Sequence, residues 1–193
     1  SMWLLWLPTL AVLAFWIIDG RPFALLGFSF SATTANVIGS VVTLVACILL
    51  LGQVWQVRRS REAAESVMRQ LRDAPAIEEI LPKSAQEYRF FKGLSVTAGI
   101  TEEILFRGYL IWAFSFWMEA WLAAILALAV FVLAHLYQEN KEAIFKVALT
   151  GGALTLLYLL SGSLIPAIIL HAVIDLSSGA ACWHARRMTE KTA

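Results

Sequence analysis

The chain has 193 residues, 60% of them hydrophobic and only 15% charged, with a mean hydropathy of +0.73 and a net charge of +1. Soluble domains average about 45–50% apolar and about 25% charged residues, so the composition argues against a water-soluble globule. A net charge so near zero gives no footing for nucleic acid, and the length suits a single domain.

A bilayer core about 30 Å thick takes roughly 20 apolar residues as a helix. Trp3 to Ile18 is the first such run, closed by Asp19-Gly20-Arg21-Pro22 and interrupted by Pro8. No basic leader or small-x-small cleavage site precedes it, so it is expected as a retained span. Trp3, Trp6 and Trp16 lie near its ends, where amphipathic rings favour the headgroup zone. Residues 20–34 read as a short connection. Asn36 to Val57 is a second run, stopping at Arg58-Arg59.

Residues 58–92 differ in kind, with eight Lys/Arg and six Asp/Glu, a helical pattern over Arg61–Leu71, and breaks at Pro75 and Pro82. They are expected as a charged surface helix between spans. Apolar sequence resumes near Phe90 and continues to Met118, interrupted by Glu102, Glu103 and Arg107. Ala120 to Tyr137 follows, then Ala143 to Leu160, then, after Ser161-Gly162-Ser163, Ile165 to Trp183. Cys47 and Cys182 fall inside apolar runs and are expected as small packing residues rather than a disulfide.

The expected fold is therefore all-α: a polytopic transmembrane helix bundle of about six spans. With both termini cytoplasmic, the inner segments hold thirteen Lys/Arg and the outer ones only Arg21, an asymmetry that fixes the orientation expected. Four regions are expected: N-terminal spans over 1–57, a cytoplasmic charged connector over 58–89, a core over 90–183 and a basic tail over 184–193. Lipids are the implied surroundings and an integral, multi-pass location the implied one.

Ionisable groups inside the apolar runs carry the chemistry. Each costs at least about 2.5–3.5 kcal/mol at the centre of a spanning helix. Glu102, Glu103, Arg107, His135, His171 and Asp175 therefore need a shared polar site. Glu103 and Arg107 are spaced i,i+4 with the acid first, the better order for an intrahelical pair. Neighbouring helical residues differ in direction by about 100°, so Glu102 is left facing another helix, available as a proton acceptor. His135 and His171 come from two further helices. His171 and Asp175 share a face at i,i+4, and Asp175 either orients that imidazole or itself faces the reacting centre. Phe131 sets an aromatic wall beside His135 at the same spacing. His184, beside Arg186 and Arg187, reads as an interfacial residue outside the site.

Three motifs result in order: Glu102-Glu103-Ile-Leu-Phe-Arg107, Phe131-Val-Leu-Ala-His135 and His171-Ala-Val-Ile-Asp175. Together they resemble the CAAX prenyl protease type II and bacteriocin-processing (CPBP, or Abi) family of intramembrane endopeptidases, over about residues 90–180. The resemblance implies that Glu102 activates water with the help of His135, and that His171 with Asp175 stabilises the oxyanion. Glu103 and Arg107 would support them. It implies no required cofactor, with zinc on Glu102, His135 and His171 as the alternative. It implies a membrane-anchored or lipidated protein substrate, such as a prenylated C-terminus, a leader or a sorting signal, in a bacterial or archaeal plasma membrane. Asp175 departs from the Asn often found in members acting on prenylated proteins. Asn offers an N–H to an oxyanion, whereas ionised Asp repels it. Asp175 thus holds a proton, orients His171, or marks another subfamily. A non-catalytic scaffold or proton-coupled transporter would use the same charges differently, but the two halves of the chain show no internal repeat of the kind common in transporters.

Overall fold

The structure, a computed structural model, describes residues 2–72, 75–136 and 141–190, with side chains described throughout these except at 2–4 and 75–77. The described residues are helical in nine α-segments: α1 Met2–Ile18, α2 Thr34–Arg59, α3 Arg61–Arg72, α4 Pro75–Ile80, α5 Ala85–Glu102, α6 Ile111–Phe114, α7 Ala120–Ala134, α8 Lys141–Ser161 and α9 Leu164–Glu190. A π-helical stretch, Glu103–Leu110, joins α5 to α6 without a break, and a 3-10 turn, Phe23–Leu26, lies between α1 and α2.

Helices stand at each of the six runs expected from the sequence. Three of them, α2, α8 and α9, are long and apolar enough to cross a membrane by length and composition; Leu5–Ile18 and Ala120–Ala134 are apolar but shorter. The distribution of side chains is inverted relative to a water-soluble domain. Ile38, Val41, Val42, Leu44, Val45, Ile48 and Leu49 on α2 face outward, while Glu103 and Arg107 are buried. Outward apolar and inward polar is what a lipid solvent selects.

The charged segment is more than a solvated connector. The apolar side of α3 docks on α2 and α9, where Ala64 is fully buried among Val57 and Ala185. Arg186 on α9 donates to Glu78 on α4 at 2.9 Å and holds the next short helix to the same surface. The stretch expected as a basic tail from 184 is helical to Glu190, and His184 is half-buried with its ring against Tyr88. The helix bearing the first motif begins at Ala85 rather than near Phe90, because Ser84 and Glu87 cap it. The Ser84 hydroxyl accepts from the Glu87 N–H, and the Glu87 carboxylate accepts from the Lys83 N–H.

Close helix crossings set the level of each motif. A Cβ at Gly99 would lie 2.9 Å from the Ala172 nitrogen, so α5 and α9 approach backbone to backbone. Gly108 meets Leu164 and Phe91 meets Gly179 along the same antiparallel pair, which brings Glu102 and Glu103 level with His171. On the other side Ile111 packs with Ala124 and Ala127, and Phe106 packs edge-to-face on Phe131. One further turn brings His135 to the same level.

The sequence alone would set His171 nearer the outer surface, because it treats Ser161–Ser163 as a surface turn. That turn is sunk. Ser161 and Ser163 are buried, the Leu164 N–H donates to the Gly27 carbonyl at 2.8 Å, and the Ser163 hydroxyl donates to the Ser29 carbonyl at 2.9 Å. Residues 23–29 cover the turn, so α9 starts deep and its seventh residue beyond Leu164 reaches the site.

Candidate functional site

The π-helical stretch begins at Glu103, where the chain must bury one carboxylate and present another. Glu103 and Arg107 pair at 2.9 Å with 0% and 1% of their side chains exposed. Arg107 is then fully engaged: Nη2 donates to the Gly151 carbonyl at 2.9 Å, Nε donates to the Thr155 hydroxyl at 3.3 Å, and the guanidinium plane lies 4.4 Å from the Phe131 ring centroid. A buried charge held this way meets the condition for tolerating removal from water, with each of the three nitrogens donating to an acceptor and the plane against a π-face. Gly151 makes this possible on α8, because a side chain there would enter the Phe131 ring.

Glu103 also receives the Nδ1 of His171, at 2.7 Å on the same oxygen that Arg107 uses. The carboxylate accepts, so His171 carries its proton on Nδ1 and turns Nε2 into the cavity. Asp175 does not play that orienting part. Its Oδ2 stands 3.8 Å from Nε2, the opposite nitrogen, and its side chain is about one-third exposed. Of the two alternatives open for Asp175 in the sequence, facing the reacting centre is the one the geometry matches.

His135 is oriented similarly by backbone. It caps the C-terminus of α7, and its Nδ1 lies 2.8 Å from the Phe131 carbonyl, an acceptor, so the proton again sits on Nδ1. Its ring packs against Phe131 at 4.4 Å between centroids. Both Nε2 atoms consequently face one carboxylate oxygen: Glu102 Oε2 is 3.8 Å from His171 Nε2 and 4.0 Å from His135 Nε2. All seven residues singled out in the sequence are thus in one assembly, from three separate helical rods. Four of them, Glu102, His135, His171 and Asp175, line a cavity of about 510 Å³ together with Phe131; Glu103 and Arg107 lie behind it. Its remaining wall is largely apolar, including Leu5, Phe91, Leu94 and Ile174, a composition suited to an alkyl chain beside a small polar centre.

The separations decide what the polar centre is built for. At 3.8–4.0 Å the groups stand too far apart for direct hydrogen bonds but at a span one water bridges. Tetrahedral donors around zinc stand about 3.3 Å apart, and among the described residues no set of three or more His, Cys, Asp or Glu is spaced to hold a metal. As arranged, the Glu102 oxygen stands wider from the His135 and His171 nitrogens than donors of a closed zinc shell do.

Sequence reasoning missed Gly151 and Thr155 as partners of Arg107, and Lys146 on the cavity wall. Neither the glycine nor the threonine bears a mark in sequence, since small residues on spanning helices are common for packing alone.

No curated protein and no solved structure matches the chain. One family model does, described as type II CAAX prenyl endopeptidase, Rce1-like, over residues 85–177, the stretch that contains all three motifs. Residues 85–177 of this membrane protein are thus similar to the Rce1-like type II CAAX prenyl endopeptidases.

Proposed function

We propose that the protein is a multi-pass, glutamate-type intramembrane endopeptidase that hydrolyses a peptide bond near the end of a lipidated or membrane-anchored protein. One observation carries this reading: two imidazole Nε2 atoms and one carboxylate oxygen, 3.8 and 4.0 Å apart, meet in a cavity whose other walls are apolar.

In this mechanism Glu102 and His135 hold a water between them. Glu102 takes one proton as the water oxygen bonds to the scissile carbonyl carbon. The carbonyl oxygen, now negative, turns toward His171 and Asp175. Because Nδ1 of His171 already donates to Glu103, Nε2 donates to an oxyanion only when the ring is doubly protonated. One extra proton, carried by Nε2 of His171 or by Oδ2 of Asp175, supplies that donor and offsets the Asp175 charge that would otherwise repel the intermediate. Glu102 then passes its proton to the departing nitrogen as the carbon–nitrogen bond breaks. Glu103 and Arg107 act by positioning His171. The apolar wall receives the lipid or the substrate helix.

The test uses purified protein in detergent or vesicles with a panel of peptides: a prenylated C-terminal peptide, a leader peptide and a membrane-anchored sorting signal. Cleavage of at least one is expected, insensitive to chelator, and reduced at least about a hundredfold in Glu102→Gln, with the melting temperature unchanged. Full activity in the folded Glu102→Gln protein would overturn the mechanism. Loss of activity on metal removal, restored by zinc, would replace it with the metal alternative.

A further inference from the structure

The sequence contains one five-residue pattern twice, and the mechanism uses neither copy. Trp55-Gln-Val-Arg58-Arg59 ends α2, and Trp183-His-Ala-Arg186-Arg187 lies in the last turns of α9. Each copy places a guanidinium over its own indole four residues back. Arg59 stands 5.7 Å from the Trp55 ring centroid, and Arg187 stands 5.5 Å from that of Trp183. The fold brings the copies side by side. Thr43 donates to the Pro166 carbonyl at 3.5 Å, and further along Val57 packs with Ala185 beside Ala64, so α2 and α9 run parallel. Val57 and Ala185 are the third residue of each copy, which sets the two patterns in register.

That register gathers cations at one level. Arg58 of the first copy and Arg187 of the second are exposed, and both act electrostatically on the half-buried His184. A third helix joins them. Tyr88 on α5 stacks on Trp183 with 5.5 Å between centroids and 15° between planes, and the exposed Lys92 reaches back to 5.2 Å from the Tyr88 ring. Among the described residues no carboxylate is within ion-pair distance of Arg58, Arg59, Lys92 or Arg187, whereas Arg61 and Arg186 pair with Glu65 and Glu78. None of the four lines the cavity at Glu102.

Four cations with no facing acid call for a counter-charge. The C-terminus of α2 supplies about half a negative charge, which offsets only part of them. Aromatic rings with long basic side chains reaching over them belong to the headgroup level of a bilayer. The outward Trp55 and Phe90 set lipid against this surface. The counter-charge present at that level is a lipid phosphate, and a zwitterionic lipid already carries a cation beside its own. We infer that the paired Trp-x-x-Arg-Arg ends of α2 and α9 bind the headgroup phosphate of an anionic phospholipid. Arg58 and Arg187 are its donors, and the stacked Trp183 and Tyr88 rings are the platform beside it. One lipid thereby ties the ends of two spanning helices together.

The experiment measures binding of phosphatidylglycerol and phosphatidylcholine to the purified protein in detergent by native mass spectrometry. Phosphatidylglycerol should bind about tenfold more tightly or better. Arg58→Ala and Arg187→Ala should each weaken it about fivefold, the worth of one surface cation, and together about 25-fold. Phosphatidylcholine binding and the lipid-free melting temperature should not move, and Arg58→Lys/Arg187→Lys should keep most of the preference. Arg69→Ala/Arg72→Ala, which removes two exposed cations from α3, should change nothing. An equal loss in that protein would reveal a diffuse field in place of a site and overturns the inference. Equal binding of the two lipids, or an unchanged preference in Arg58→Ala/Arg187→Ala, overturns it as well. Excess inorganic phosphate should leave phosphatidylglycerol bound; displacement would assign the site to a soluble anion and remove the lipid.

Discussion

Two ion pairs in this chain have the same spacing and nearly the same length, and opposite surroundings. Arg61 and Glu65 meet at 2.8 Å on α3 with 59% and 42% of their side chains exposed; Glu103 and Arg107 meet at 2.9 Å with 0% and 1% exposed. The outer pair ends at itself. The inner pair continues into Thr155, Gly151, the Phe131 ring and His171. In water the two groups have solvent as a ready substitute for each other, so the pairing adds little. In the bundle the alternative to the pair is an unpaired charge, so the pair is obligatory and drags a network into place around it.

Arg107→Ala should break this contrast most strongly. It leaves Glu103 charged and buried with His171 as its remaining ionisable partner, and should cost about 3–5 kcal/mol in unfolding measured in detergent. Restoration of stability by Glu103→Leu/Arg107→Met, with cleavage still absent, would sharpen it, since removing both charges repairs packing but not the orientation of His171. Glu103→Gln comes next. It keeps shape and a hydrogen bond but not the charge that holds the imidazole, and should lower kcat about a hundredfold with KM nearly unchanged. A rise in KM alone would mean that Glu103 shapes the cavity and does not set the ring. Ser84→Ala, which removes the hydroxyl that caps α5, should cost about 1 kcal/mol and spare activity. Arg61→Ala should leave both the melting curve and the cleavage rate where they were. A clear drop there would place α3 in the same cooperative network as the site.

What the sequence discloses follows from the same contrast. Glu102, Glu103, Arg107, His135, His171 and Asp175 stand out because hydrocarbon makes each of them costly, and a costly residue in an apolar run needs a reason. The i,i+4 spacing of Glu103 and Arg107 shows their pairing directly, and by elimination leaves Glu102 to another helix. The partner of His171 is not legible. Asp175 shares its helix face at the same attractive spacing, yet the carboxylate that holds Nδ1 is Glu103, 68 residues earlier. Local spacing gives neighbours on one helix, and contacts between helices depend on register. The register itself rests on Gly99, on Gly151 and on the 161–163 turn with its buried Ser161 and Ser163, whose residues are small and carry no distinctive signal. The π-helical stretch is equally silent, since its residues are ordinary helix formers, and so is the docking of α3, whose charges draw attention from its few apolar contacts.

The shortness of α7 has a consequence for the surrounding lipid. Fifteen residues rise only about 22 Å, against a hydrocarbon core of about 30 Å. Beside α7 the acyl chains must compress or tilt to meet it, an adjustment costing fractions of a kcal/mol per Å. An α7 that crosses the bilayer would thin it next to His135, shortening the path of bulk solvent to the Glu102 carboxylate. Turnover should then depend on acyl-chain length, fastest in short-chain lipids that already match the helix.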